Sequence, residues 1–401
     1  NGAQPEARTT VVADAIPLRC SILRGGTSRA VFFLENDLPA GREAIEPILL
    51  DVFGSPDVRQ INGLGGATSQ TSKAAIIGPP SRSDADVDYT FAQVSVTAPL
   101  VDWGGNCGNI SSAVGPFAVD QGLVRVEEPL TTVRIHNTNT AKIIVAKVPV
   151  AGRRAARMGD YAIPGVPGTG ARIELDFTDP AGSLAGKLLP TGRARDEVEV
   201  ADGRRITCSI VDAANPTVFL RAEDLGFDGT ELPAAIEART EATDLLEEVR
   251  SVVAEWLGLV ADRREATART PGLPKVGYVA TPKSYASSSG EPVPADASDL
   301  CARLMSMQTA HRSYMTTGAI ATAAAAFVPG TIVHEVTRPS AERPDRDMIR
   351  IAHPYGVMEA SVRADLSGEL PRIEGVAVGR TARHILDGEV WVARGLLAAL
   401  R

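Results

Sequence analysis

Long apolar runs are missing from this chain. No stretch approaches the ~20 apolar residues that a membrane helix needs, so no membrane partner is expected. Positive charge is short as well. With 41 Lys and Arg against 49 Asp and Glu, the formal net charge is −8, which argues against a nucleic-acid binder. A basic pocket for one small anion stays open, because net charge says nothing about a single cleft. Cysteine is scarce: Cys20, Cys107, Cys208 and Cys301 are scattered, without a CxxC pair. A disulfide framework or zinc knuckle is therefore not expected, and reduced thiols in a cytoplasmic setting are. The five histidines include no HxH or HxxxH pair, so no metal is expected. A GxSxG elbow, a GxxxxGK[ST] phosphate loop and a dinucleotide fingerprint are all lacking.

The composition that remains is ordinary for a globular protein, with 44% hydrophobic and 22% charged residues, and 401 residues suggest two domains. Residues 1–10 read as a disordered polar leader. Strands are expected at 16–34, broken by a turn, and at 72–77, 87–96, 205–211, 217–221, 275–279, 349–352 and 358–362, with β-rich sequence over 124–150. Helices are expected at 44–53, after Asn109, over 233–257, over 296–308 and from Thr316 to Phe327. The Gly- and Pro-dense stretch 152–170 reads as a long loop. Each half sets a short polar, Gly-containing turn before an apolar helix: Asn106-Cys-Gly-Asn109 in the first, Thr316-Thr-Gly318 in the second. This weak internal repeat points to two similar α+β lobes with a cleft between the helix starts.

Three segments can carry chemistry there. Cys107 directly precedes a helix, where unpaired N–H groups make an anion site and favour thiolate. Lys73 closes the run Gly65-Gly-Ala-Thr-Ser-Gln-Thr-Ser-Lys73, whose hydroxyls and glycines suit a carboxylate; once desolvated, its amine can act as a base. Arg24-Gly-Gly-Thr-Ser28 is a further donor-rich turn. Each also has a plain structural reading: a buried small thiol, a solvated strand-end lysine, an ordinary turn. His311 is the histidine of interest, because it stands just before the second helix start.

Taken together, the segments resemble the 2-methylaconitate cis–trans isomerase (PrpF-like) family. The resemblance runs over nearly all of 17–400 and rests on Arg24-Gly-Gly-Thr-Ser28, Gln60-Ile-Asn-Gly-Leu-Gly-Gly66, Thr71-Ser-Lys73, Asn106-Cys-Gly-Asn109, Asp212-Ala-Ala-Asn-Pro216, Gly318-Ala319 and Arg380-Thr-Ala-Arg383. It implies an α+β, diaminopimelate epimerase-like fold: two lobes, each a curved sheet around a central helix, with the ligand between them. The N-terminal lobe would take 11–186, with 385–401 returning to it, and the C-terminal lobe 187–384. It implies a cofactor-independent isomerase acting on an unsaturated di- or tricarboxylate, with Lys73 and Cys107 as the proton-transfer pair. Thr27, Ser28, Gly65, Gly66, Asn106, Gly108, Asn109, Asn215, Thr316, Thr317 and Gly318 would hold the substrate. The resemblance leaves open which of the pair is the base. Epimerases of this fold place a cysteine at both helix starts; here the second position holds Met315, which disfavours a two-cysteine racemase. The alternatives are a 4-oxalomesaconate tautomerase and, in another class, a non-catalytic carboxylate-binding accessory to an aconitase-like enzyme. A homodimer is a further expectation.

Overall fold

The computed structural model describes residues 14–396. The leader expected at 1–10 lies outside the described residues, as do residues 397–401. Among the described residues nineteen strands join in one continuous sheet, and its two halves repeat the same order of pairings. In the first half, Ala15–Gly25 and Ser28–Leu34 form an antiparallel hairpin, and the latter runs parallel to Lys73–Gly78. Lys73–Gly78 pairs antiparallel with Val87–Val94, which runs parallel to Leu130–Asn137. Lys142–Ala151 and Ile173–Thr178 follow antiparallel.

The second half does the same. Arg205–Ala213 and Asn215–Arg221 form the hairpin, and Lys275–Ala280 lies parallel to its second strand. Leu300–Ser306 is antiparallel to that, Met348–His353 parallel again, and Gly356–Asp365 and Arg372–Arg380 antiparallel. Ile173–Thr178 pairs with Arg372–Arg380 and joins the halves. At the two outer ends, Ala382–Ala393 covers Ala15–Gly25 and Asp196–Glu199 covers Arg205–Ala213. The weak repeat seen in the sequence is thus a repeat of topology.

Parallel neighbours need a crossover, and each crossover carries a helix. Arg42–Phe53 and Thr240–Trp256 serve the first crossover of each half, and the central helices Gly108–Asp120 and Thr316–Ala326 serve the second. A helix apolar on every side belongs inside a core. Every residue of Thr316–Ala326 is buried, and every residue of Gly108–Asp120 except Asp120. Small residues permit this: a Cβ on Gly115 would lie 2.6 Å from the Val148 side chain.

Three expectations are corrected. The helix expected over 296–308 is the buried strand Leu300–Ser306, preceded by a short turn at Ala295–Ala297. Its Ala, Arg, Leu and Met favour helix, but a strand buried on both faces at the middle of the sheet overrides that local preference. The helix expected over 233–257 is two, Pro233–Glu237 and Thr240–Trp256. Arg239 leaves helical geometry between them and lays its guanidinium over the Phe227 ring, 5.2 Å from the centroid. The loop expected over 152–170 holds one short strand, Arg154–Ala155, paired to Lys142–Ala151.

Candidate active site

The starts of the two central helices face each other where the lobes meet. A Cβ on Gly108 would fall 2.9 Å from the Thr316 side chain. Asn109 Oδ1 accepts from Thr316 Oγ1 at 2.9 Å and from the Thr27 N–H at 3.3 Å. Asn215, fully buried, takes the Asn106 N–H on Oδ1 (3.1 Å) and donates through Nδ2 to the Asn106 carbonyl (2.9 Å) and Thr317 Oγ1 (3.2 Å). These bonds fix the helix starts as a pair, and their free N–H groups share one space.

That space is a cavity partly open to solvent. Of the expected residues, Ser28, Lys73, Asn106, Cys107, Gly108, Asn109, Thr316 and Thr317 line it. Thr27, Gly65, Gly66, Asn215 and Gly318 are not among its lining residues. A Cβ on Gly65 would meet the Gln60 amide at 2.2 Å, one on Gly66 the Thr71 hydroxyl at 2.4 Å, and one on Gly318 the Leu304 side chain at 2.1 Å. Those three glycines answer to packing of the protein on itself.

Lys73 opens the strand Lys73–Gly78 and is 7% exposed. Its ammonium donates to Gln93 Oε1 at 2.5 Å and lies 5.3 Å from the centroid of the Phe91 ring. Gln93 cannot swing away, because its Nε2 donates to the carbonyls of Ser69 (3.0 Å) and Ser72 (2.9 Å). Burial lowers the Lys73 pKa, and negative charge on the Cys107 sulfur opposes that shift. Cys107, partly buried, is the residue that begins the helix Gly108–Asp120, and its carbonyl accepts from the Ser111 N–H at 2.9 Å. Met315 holds the matching place before Thr316–Ala326 and lines the same cavity.

Two lining residues carry charge or polarity that the sequence did not single out as ligand contacts. Lys275 opens Lys275–Ala280 as Lys73 opens Lys73–Gly78, and its pKa is pushed down to about 8, first by burial and then by Lys73. The signal for it was there: in each half a lysine heads an apolar strand after a crossover helix. His311 is buried, and burial takes its pKa down to about 3, so its ring is neutral. Its Nδ1 accepts from the Ser313 N–H at 3.2 Å, which puts the ring proton on Nε2. Asp102 is the carboxylate in the lining, and it is already held by the N–H groups of Gly104 (2.8 Å) and Gly272 (3.2 Å). Two lysines and two helix starts against one engaged carboxylate make a cavity suited to a small polyanion. Among the described residues no group of three or more His, Cys, Asp or Glu can hold a metal ion, and no helix is long and apolar enough to cross a membrane.

The model of the PrpF protein family matches residues 15–393. The chain belongs to the PrpF family. Within it, the 3-methylitaconate isomerase of Eubacterium barkeri is 45% identical over 388 residues, covering 96% of this chain and 100% of that protein. The 2-methyl-aconitate isomerase of Shewanella oneidensis is 39% identical, covering 94% and 98%. A crystal structure of a methylitaconate-delta-isomerase matches with a TM-score of 0.77 at 44% identity, over 96% of this chain and 98% of that one. At 10% identity, a hydroxyproline epimerase from Agrobacterium vitis matches over 95% and 94% with a TM-score of 0.53, a likeness of fold alone. The α+β, epimerase-like architecture expected from the PrpF resemblance is the one observed, and the PrpF relatives are isomerases, as this protein is.

Proposed function

We propose that this isomerase moves a proton on a small unsaturated di- or tricarboxylic acid, with Lys73 and Cys107 as the proton-transfer pair. The observation that carries the reading is the setting of Lys73: an amine whose pKa burial lowers, pinned by Gln93, opening on the same cavity as Cys107. In this reading the neutral Lys73 amine takes a proton from the carbon next to the conjugated acid. The C–H electron pair moves into the unsaturated carboxylate and forms a dienolate. Helix-start N–H groups and nearby ammonium charge stabilise the negative charge that develops. The former double bond gains single-bond character and rotates, or the pair returns at another carbon. The Cys107 thiol delivers the proton, and transfer from the Lys73 ammonium to the thiolate resets the site. No step calls on a metal or cofactor.

Two well-matched relatives carry different substrate names, 3-methylitaconate and 2-methyl-aconitate, and both acids belong in the test. A cytoplasmic setting and a homodimer are what we expect, the first because the four cysteines are few and scattered. Proton NMR of the metal-free protein in D₂O tests the reading. The panel is cis- and trans-aconitate, 2-methylaconitate, methylitaconate and 4-oxalomesaconate. Isomerisation with deuterium entering an allylic carbon is the expected result. Tautomerisation of 4-oxalomesaconate alone would move the activity to keto–enol chemistry. No conversion and no exchange with any acid would leave a carboxylate-binding role.

A further inference from the structure

The repeat brings a second lysine to the cavity from the opposite lobe, and the two are provided for differently. Lys73 pairs in register with Gln93, which gives its ammonium an acceptor. In the second lobe the matching pairing begins only at Gly277↔Leu304, past Lys275, and Ser306, which lines the same cavity, turns its short hydroxyl to within 3.5 Å of Ser69. Among the described residues no hydrogen bond or ion pair engages the Lys275 ammonium. The backbone that carries it is nonetheless firmly built. Arg250, 2% exposed, donates to the carbonyls of Thr270 (2.8 Å) and Leu273 (2.7 Å), and Gln308 donates to that of Pro271 (3.0 Å). Asp102 holds the Gly272 N–H at 3.2 Å. A fixed arm thus ends in an unpartnered cation on the wall of the cavity.

We infer that Lys275 anchors a carboxylate remote from the reacting carbon, and so makes a second or third carboxylate a requirement of the substrate. The inference rests on the proton-transfer reading above and adds to it the group that selects the acid. The groups that act on Lys275 are Arg250 and, when protonated, Lys73 of like sign, and Asp102 and, when ionised, Cys107 of opposite sign, with neutral His311 in the same cavity. None of these neutralises it by direct contact. An arriving carboxylate does, and it favours the ammonium. Since burial and Lys73 hold Lys275 at a pKa of about 8, binding close to that pH draws in a proton.

The test uses tricarballylate, a saturated tricarboxylate with no allylic proton, titrated calorimetrically into the full chain at about pH 8 in phosphate and in Tris. The difference in heat between the buffers gives the protons taken up. Wild type is expected to bind with proton uptake. Lys275→Met is expected to bind at least about tenfold more weakly, the scale of one charge-assisted hydrogen bond, and with less uptake. Lys275→Arg keeps most of the affinity but, being permanently charged, loses the uptake, and it carries the test if the methionine variant fails to fold. In turnover with the best acid of the panel, Lys275→Met is expected to raise KM on the order of tenfold or more while kcat falls by less than about threefold. No binding by the wild type, unchanged affinity in Lys275→Met, or a collapse of kcat at constant KM overturns the anchor. The binding arm needs no turnover, so it separates failure of the anchor from failure of the isomerase reading.

Discussion

Each lobe sets a lysine at the start of one strand and a sulfur side chain at the start of one helix: Lys73 and Cys107 in the first, Lys275 and Met315 in the second. The frame is the same and the chemistry is not. Gln93 holds the first lysine, while nothing among the described residues holds the second. A thiol exchanges protons and a thioether does not. A symmetric pair of thiols suits the removal of a proton from one face and its return to the other, as racemisation requires. One equipped lobe facing one anchoring lobe suits a proton shift on an acid that is gripped from the far side.

Lys73→Met strikes that comparison hardest. On the proposed mechanism it removes the base from the equipped lobe, and kcat is expected to fall about 10³-fold or more, with loss of solvent deuterium incorporation. Cys107→Ser is expected to cost about 10²-fold in kcat while tricarballylate still binds; turnover close to wild type would sink the proton-transfer pair. Gln93→Leu makes the first lysine resemble the second. The lost carbonyl favoured the ammonium, so the Lys73 pKa drops further, and the acid limb of the kcat/KM profile is expected to move to lower pH as kcat falls about tenfold. An unmoved limb would take the base away from Lys73. Asn215→Ala cuts the tie between the lobes and leaves the Asn106 N–H and carbonyl unpaired in the interior. About 2 kcal/mol of stability is expected to go, read as a lower melting temperature.

The smallest effect belongs to the edge of the first lobe. His384 sits with Nδ1 3.2 Å from Asp120 and Nε2 2.8 Å from Asp387, and the Asp120 contact leads in raising its pKa. A raised histidine pKa gives stability that is whole below the ordinary value near 6.5 and is lost as pH climbs through the folded value. The margin of wild type over His384→Gln, below about 1 kcal/mol, is therefore expected to shrink as pH rises above about 6.5 in denaturant titrations. A margin that grows with pH would refute the assignment.

Much of the frame was legible because its signals are local. Polar turns before apolar helices marked both central helices, and Lys73 and Cys107 stood out where glycine and hydroxyls gather. What escaped depends on distant neighbours. Residues 300–306 carry helix-forming side chains and become a strand only because Lys275–Ala280 and Met348–His353 flank them. Lys275 lacks the run of hydroxyls that announces Lys73, and its importance appears only once the two halves are laid over each other. Strands Arg372–Arg380 and Ala382–Ala393 were not anticipated, since charged residues and the glycines 375, 379 and 388 interrupt their pattern. Gly65, Gly66 and Gly318 looked like ligand cradles, yet bare backbone serves close packing as readily as it serves a carboxylate.

The pairing of Ala15–Gly25 with Ala382–Ala393 sets an order of manufacture. From Asp196 to Arg380 the second lobe's strands are contiguous in the chain and can pair as they leave the ribosome. The first lobe's opening strand waits for a partner made roughly 360 residues later, which at ~5–20 residues per second is about 20–70 s. Through that interval a strand of 11 residues shows one raw edge to the crowded cell, a template for stray pairing until its own partner arrives.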